Sequence, residues 1–219
     1  MSSFIAHFRS TDHTEQSVSE HLQNVSRLAA LHASKIGLAP AGELIGLLHD
    51  FGKYSGIFQN YLKSAEGIVD ADADEFVDAH EFKGKIDHST AGAQYVWRQL
   101  SQTGGVGLYA GQMLALCIAS HHSGLIDCLS GAAANFGEDI FTRRMQKAVA
   151  KTHLDEVIQV ADAGVLARAA ELLGDPRLPD CIKLLASRIV AANRNRTIPM
   201  QQQLGLMVRF LFSCLIDAD

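Results

Sequence analysis

The stretch ELIGLLHDFGKYSGIF, residues 43–58, interrupts an apolar helical run with the ionisable side chains of His49, Asp50 and Lys53. On a helix, Lys53 follows His49 by four residues and Asp50 by three, so the three side chains share a face. Burying them together is costly unless other groups pair with them. Adjacent His and Asp side chains can reach one metal ion or two neighbouring ions, and Lys53 can then meet an anion held there. The stretch alone also fits a helix end with solvated polar residues before Gly52.

The chain around this stretch has helical periodicity almost throughout. Ser17 and Glu20 form a capping-box pattern, and the apolar stripe that follows predicts a helix over 18–36. Pro40 lies near the start of the next helix, which is predicted to run to about Asp50. Further helices are predicted over 88–101, 107–121, 136–150, 153–173, 179–192 and 200–217. No alternating segment indicates a strand, so the sequence predicts one all-α domain over residues 1–219.

Composition fits an ordinary soluble protein. The 219 residues are 47% hydrophobic and 20% charged, no apolar run approaches the length of a membrane span, and the N-terminus lacks a signal-peptide pattern. The four cysteines are far apart in the chain and form no C-x-x-C pair. We therefore expect neither a disulfide framework nor a zinc knuckle, no membrane partner, and a cytoplasmic location.

The formal net charge is −5. This charge argues against a protein that holds nucleic acid through a broad basic face. It does not exclude an enzyme whose positive charge comes from bound metal ions.

Residues 64–87 are acidic and lack a sustained apolar stripe. Five acidic residues within them fall near the spacing of a calcium-binding loop: Asp70, Asp72, Asp74, Asp78 and Glu81. Glu75 replaces the glycine that such a loop requires, and good flanking helices are missing. We therefore interpret the segment as a solvated, mobile acidic loop.

Ten histidines are the most informative feature of the composition. His21 leans toward the apolar side of its predicted helix, and His88 opens the helix in DHSTAGA. Taken singly, each fits a hydrogen-bonded core residue or a helix-start residue better than a metal ligand. His121 and His122 differ, because two adjacent imidazoles at the end of an apolar helix are hard to satisfy with backbone carbonyls alone. A bound metal ion would satisfy both rings, so the pair favours metal coordination.

The apolar stretch RFLFSCLIDAD ends in Asp217 and Asp219, and either could offer a further carboxylate ligand. The same residues also fit a solvated helix end. Together with five histidines and Asp50, one such aspartate gives seven nitrogen and oxygen ligands. That number is too large for one tetrahedral ion and suits two ions that share a bridging carboxylate. Because no thiolate is present, two divalent transition-metal ions are expected, from Mn, Fe, Co, Ni and Zn, with Mg left open.

The order and spacing of these motifs resemble the HD superfamily of metal-dependent phosphohydrolases. More narrowly, the chain is similar to the HD nuclease domain of the CRISPR-associated helicase–nuclease of type I interference systems. The segments that carry the resemblance are FIAHFR, SVSEHL, LLHDFGKYSGIFQNYL, DHSTAGA, ASHHSGL and RFLFSCLIDAD. The resemblance implies an all-α fold and a two-metal centre that cuts single-stranded DNA. It also implies recruitment to the strand displaced by the RNA-guided surveillance complex.

The resemblance assigns roles by motif. It implies Asp50 and Lys53 as catalytic residues, with Lys53 near the scissile phosphate. The implied metal ligands are His21, His49, Asp50, His88, His121, His122 and one closing aspartate, with Asp219 favoured over Asp217. His7 matches a further family position, and we place it among the residues surrounding the ligands.

Family members commonly continue into a helicase, whereas the present sequence contains no G-x-x-x-x-G-K-[ST] phosphate loop. We therefore expect a stand-alone nuclease subunit or an excised domain, with a helicase module acting in trans or in cis. Two other functions stay open at this point. One is an HD phosphohydrolase acting on nucleotides or a cyclic dinucleotide, and the other is a non-catalytic, metal-stabilised docking module.

Overall fold

A computed structural model of the protein describes residues 4–9, 14–68 and 86–219. Within these ranges the helices are α1 (Val18–Ser34), α2 (Ala39–Leu48), α3 (Gly56–Ala65), α4 (Ser89–Leu100), α5 (Gly105–Ser120), α6 (Ile140–Met145), α7 (Val149–Thr152), α8 (Leu154–Val160), α9 (Ala163–Gly174), α10 (Arg177–Ala192) and α11 (Thr197–Ile216). The predicted all-α fold is confirmed. Most of the acidic segment 64–87, including its five calcium-loop positions, lies outside the described residues.

Helices α1 and α2 pack closely because small residues line their contact. The hydroxyl of Ser17 caps α1 by accepting a hydrogen bond from the backbone N–H of Glu20 at 3.2 Å. In α2, a Cβ atom added to Gly46 would lie 2.7 Å from the Cα of Ser26 on α1, which no real side chain tolerates. This close approach brings the start of α1 beside the end of α2.

The end of α2 differs from its prediction. The helix ends at Leu48, His49 keeps helical dihedrals as its C-cap, and Asp50 leaves the helix with φ −107° and ψ 23°. A 3₁₀ turn follows over Phe51–Tyr54. Side chains at i and i+3 are nearly eclipsed in such a turn, and Lys53 Nζ accordingly lies 2.7 Å from Asp50 Oδ2.

Strands β1 (Ile5–Phe8) and β2 (Glu15–Ser17) form a short antiparallel hairpin. The prediction of no strand is wrong at this point. The buried amide of Gln59 on α3 fixes the hairpin, because it accepts from the N–H of Ile5 and donates to the carbonyl of Ile5. The hairpin therefore sits against the 3₁₀ turn and α3.

Two predicted helices are each divided in the structure. The 136–150 prediction covers α6 and the first half of α7, and the 153–173 prediction covers α8 and all but the last residue of α9. Between α8 and α9, Asp162 accepts hydrogen bonds from the N–H groups of Gly164 and Val165, so it starts a new helix. The central helix is α5, whose residues are mostly buried. None of the helices among the described residues has the length and apolar content needed to cross a lipid bilayer.

Candidate metal centre

Side chains from five helix ends converge at one point of the fold. They are His21 near the start of α1, His49 and Asp50 after α2, His88 before α4, His121 and His122 after α5, and Asp219 after α11. The first group consists of His21, His49, Asp50 and Asp219. The second group consists of Asp50, His88, His121 and His122. Asp50 belongs to both groups.

The first group is compact. The Nε2 atoms of His21 and His49 lie 3.1 Å apart, and they lie 3.2 Å and 3.3 Å from Asp50 Oδ2. Asp219 Oδ1 closes the group at 3.4 Å from His21 Nε2 and 3.2 Å from His49 Nε2. Tetrahedral ligands held ~2.1 Å from one ion are ~3.4 Å apart. The spacing of these four donor atoms therefore fits a single divalent ion.

The second group uses the other oxygen of Asp50. His121 Nε2 lies 3.1 Å from Asp50 Oδ1, and the Nε2 atoms of His88 and His122 lie 3.5 Å and 3.7 Å from the same oxygen. The Nε2 atoms of His88 and His122 approach each other to 2.5 Å. The carboxylate of Asp50 thus presents one oxygen to each group.

Backbone carbonyls orient three of the imidazole rings. The Nδ1 atoms of His49, His121 and His88 lie 2.8 Å, 2.8 Å and 3.0 Å from the carbonyl oxygens of Gly46, Ile118 and Ile86. A carbonyl accepts only, so each Nδ1 carries a hydrogen and, in the neutral ring, each Nε2 carries a lone pair. These lone pairs point at the carboxylate of Asp50. The Nε2 lone pairs and the carboxylate oxygens are all hydrogen-bond acceptors, so their close approach in a buried place requires a proton or a cation between them.

The charges of the group members follow from burial and from the shared carboxylate. Burial opposes ionisation of Asp50, but His49 and Lys53 hold its pKa well below the usual range. Burial alone would lower the pKa of His49, but Asp50 and Asp219 raise it to about 10. Burial lowers the pKa of His88 to about 4 and also lowers the pKa of His121. His88 and His121 therefore offer neutral imidazoles at neutral pH.

Lys53 is the buried cation at the edge of the first group. Its ammonium lies 2.7 Å from Asp50 Oδ2 and 5.6 Å from the ring centroid of Phe58. The neighbouring Gln59 donates a hydrogen bond to the Lys53 carbonyl at 2.8 Å. Nothing in the sequence marks Gln59, because it sits within an otherwise ordinary amphipathic helix.

His7 and Asp217 mark the border of the centre. The His7 ring is exposed and meets the His21 ring edge-on at a centroid distance of 5.1 Å. Partial burial lowers the pKa of His7, and His21 and Lys53 lower it further. Asp217 is exposed and belongs to neither group, whereas Asp219 belongs to the first. The structure thus places Asp219, rather than Asp217, beside the other donor atoms.

A known family matches most of the chain. The family described as Cas3, HD domain, matches residues 11–192. The chain belongs to the Cas3 HD domain family. Membership identifies it as a metal-dependent HD hydrolase of the nuclease type, from a CRISPR system and with a nucleic-acid substrate. No curated protein matches the chain.

HD domains bind divalent metal ions, and the two His/Asp groups offer a suitable set of donors. The donors are nitrogen and oxygen atoms only, a chemistry that suits Mn, Fe, Co, Ni and Zn. At each group, imidazole lone pairs converge on an oxygen of Asp50, and a bound cation would relieve the repulsion between these acceptors. The residues present therefore fit the metal that the family implies.

Proposed function

We propose that this Cas3 HD domain cleaves the phosphodiester bonds of single-stranded DNA through two divalent metal ions that share Asp50. The observation that supports the proposal is the carboxylate of Asp50, whose Oδ2 faces His21 Nε2 at 3.2 Å and whose Oδ1 faces His121 Nε2 at 3.1 Å. A carboxylate with a separate His-rich group at each oxygen is the arrangement expected for a bridging ligand.

Seven residues would hold the ions. His21, His49 and Asp219 would bind the first ion, His88, His121 and His122 would bind the second, and Asp50 would bind both. When bound, such a pair of ions lowers the pKa of a coordinated water and neutralises charge on the attacked phosphate and leaving oxygen. Asp50 would keep both ions in place during the reaction.

Lys53 would contribute a charge that does not come from the metals. Its ammonium is buried and contacts Asp50, so its position is fixed before substrate arrives. A preorganised cation beside a reacting phosphate stabilises negative charge in the transition state without reorganisation cost. Lys53 would therefore contact the scissile phosphate and stabilise the negative charge that develops on it.

The substrate would approach from the side of His122 and Asp219. Their side chains are 53% and 25% exposed, whereas that of His49 is fully buried. The chain carries a net charge of −5, so the ions would supply the positive charge that attracts the DNA backbone at this opening. A single strand reaches such a recessed centre more easily than a duplex does.

In the cell, we propose a role in type I CRISPR interference. The single strand would be the one displaced when the RNA-guided surveillance complex pairs its guide with target DNA. A helicase module, in cis or in trans, would feed that strand to the HD domain. Family membership supports the CRISPR context and a nucleic-acid substrate.

The proposal is tested by offering the purified protein three substrates with a panel of divalent metals. The substrates are circular single-stranded DNA, nucleoside triphosphates and a cyclic dinucleotide, and Asp50→Ala protein is the control. We expect metal-dependent linearisation of the circle by wild-type protein alone. Phosphate release from nucleotides with an intact circle would favour a nucleotide phosphohydrolase. Metal binding with no hydrolysis of any substrate would favour a docking module.

A further inference from the structure

The start of α4, next to His88, is held by a half-buried arginine from α6. Arg144 donates from Nε to the hydroxyl of Thr90 at 3.1 Å and from a terminal nitrogen to the hydroxyl of Ser89 at 3.0 Å. Both hydroxyl-bearing residues are buried. Even partial burial of a guanidinium is costly, and among the described residues the hydrogen-bond acceptors of Arg144 are two neutral hydroxyls. Its fork geometry fixes two consecutive residues at once.

Asp87 fixes the chain on the other side of His88. Its carboxylate accepts from the N–H of Thr90 at 3.0 Å and from the hydroxyl of Thr90 at 2.7 Å. Lys147 also binds this carboxylate. The residues immediately before and after His88 are therefore both tied to the α6–α7 segment.

The backbone of His88 is also tied to the turn that carries Lys53. The N–H of Gly52 donates to the carbonyl of His88 at 3.0 Å. His88 itself has φ −116° and ψ −9° and precedes the first residue of α4. Its partners in the second group follow α5, a helix of 16 residues. His88 thus depends more on side-chain contacts for its position than His121 does.

We propose that Arg144 is a positioning residue for the second metal ion, which it serves by holding Ser89 and Thr90 so that the imidazole of His88 faces Asp50. This inference rests on the proposed metal centre. Removing a residue that does not bind the metal but orients one of its ligands lowers metal affinity by about 10–100-fold. The first ion, whose proposed ligands do not include His88, should bind Arg144→Ala protein as it binds wild type.

The adjacent Arg143 provides a matched control. It lies on the same short helix, its side chain is 62% exposed, and it pairs with Glu138. Arg143→Ala removes the same charge from the same helix without touching α4. Two further variants test the geometry: Arg144→Lys keeps the charge and loses the fork, and Ser89→Ala removes one acceptor with little change in volume.

The experiment is equilibrium dialysis with Mn²⁺ on the whole chain, followed by metal analysis and electron paramagnetic resonance. We expect two ions in wild-type and Arg143→Ala protein, with a magnetically coupled signal. Arg144→Ala should bind its second ion about 10–100-fold more weakly. At Mn²⁺ concentrations that fill only the first group, it should show the six-line spectrum of an isolated ion. Arg144→Lys should resemble Arg144→Ala, and Ser89→Ala should show a smaller loss in the same direction.

Two results would overturn the assignment of Arg144. One is unchanged affinity for the second ion in Arg144→Ala protein, which would leave the metal centre standing. The other is full recovery in Arg144→Lys protein, which would make charge rather than geometry the cause. Wild-type protein that binds no Mn²⁺ would overturn the metal centre and this inference together. If Arg144→Ala fails to fold, Ser89→Ala decides, and a Ser89→Ala protein with wild-type affinity for both ions counts against the inference.

Discussion

The Nε2 atom of His49 lies 3.2 Å from Oδ1 of Asp219, although 170 residues separate them in the chain. The contact joins the end of α2 to the end of α11, and His21 Nε2 lies 3.4 Å from the same oxygen. The first group is therefore assembled by tertiary packing, and one of its four donors depends on the last helix.

Removing the Asp219 carboxylate should weaken the first ion selectively. We expect Asp219→Ala to lower affinity for that ion at least tenfold, because one of four donors and one negative charge are lost. Asp217→Ala is the matched control, since Asp217 is exposed and belongs to neither group. Isothermal titration with Mn²⁺ measures both. Equal losses in the two variants would contradict the assignment.

Replacing Asp50 should remove both ions. Asp50→Ala deletes a carboxylate that belongs to both groups, so the metal content should fall from two ions toward none and DNA cleavage should be lost. The helical circular dichroism spectrum should persist, because the surrounding core is apolar. Metal analysis, circular dichroism and cleavage assays check this together. Undiminished cleavage by Asp50→Ala protein loaded with metal would refute the role.

Lys53→Ala should separate catalysis from metal binding. Lys53 contacts Asp50 but offers no lone pair while charged, so both ions should stay bound. Loss of one preorganised charge stabiliser costs about 10²–10³-fold in turnover. Single-turnover cleavage, compared with metal content in the same preparation, provides the measurement. Equal loss of metal and turnover would show that Lys53 is only structural.

Gly52 should tolerate no side chain. A Cβ there would lie 2.4 Å from the carbonyl oxygen of His88 and 2.6 Å from its Cα, so Gly52→Ala must displace His88. We expect about 1–3 kcal/mol of destabilisation and weaker binding of the second ion. Gly56→Ala is the control, because its Cβ would meet only Glu156 Oε1 at 3.2 Å. Chemical denaturation and Mn²⁺ titration of both variants test the expectation, which fails if Gly52→Ala matches the wild type.

Metal binding to the first group should release a proton. Burial by itself would lower the pKa of His49, but Asp50 and Asp219 raise that pKa to about 10. The His49 ring is therefore protonated at pH 7 in metal-free protein. An ion must displace that proton, so affinity should rise about tenfold per pH unit from pH 7 to 9. Burial lowers the pKa of His88 to about 4, so His88 should contribute no proton release at pH 7.

The same pKa values fix the sign of the stability change in metal-free protein. Because the pKa of His49 is raised in the fold, its stabilising contribution is complete below the unfolded value of 6.5 and is lost as the pH rises toward 10.

A pH-indicator dye follows proton release during Mn²⁺ titration. Binding of the first ion without proton release at pH 7 would contradict this account.

Local patterns were enough to predict much of the fold. The apolar stripe after Ser17 and the proline at position 40 predicted α1 and α2, and both helices are present. The hairpin was missed because strands of four and three residues are too short to show alternation. Its stability depends on Gln59, a partner 54 residues from Ile5 in the chain.

The candidate centre was predictable in its members but not in its arrangement. The H-D pair, the H-H pair and the closing aspartate are visible as motifs, and the structure brings them together. The division into two groups depends on which oxygen of Asp50 faces which ring. That orientation follows from the departure of Asp50 from α2 and the 3₁₀ turn after it. Dihedral changes of one residue leave no periodic signal in a sequence.

The most direct test of the shared Asp50 is a crystal of the protein grown with Mn²⁺ and measured at the manganese absorption edge. Two anomalous peaks are predicted on opposite sides of the Asp50 carboxylate. One should lie among His21, His49 and Asp219, and the other among His88, His121 and His122. A fully occupied single peak at saturating Mn²⁺, or two peaks with Asp50 bound to only one, would contradict the account.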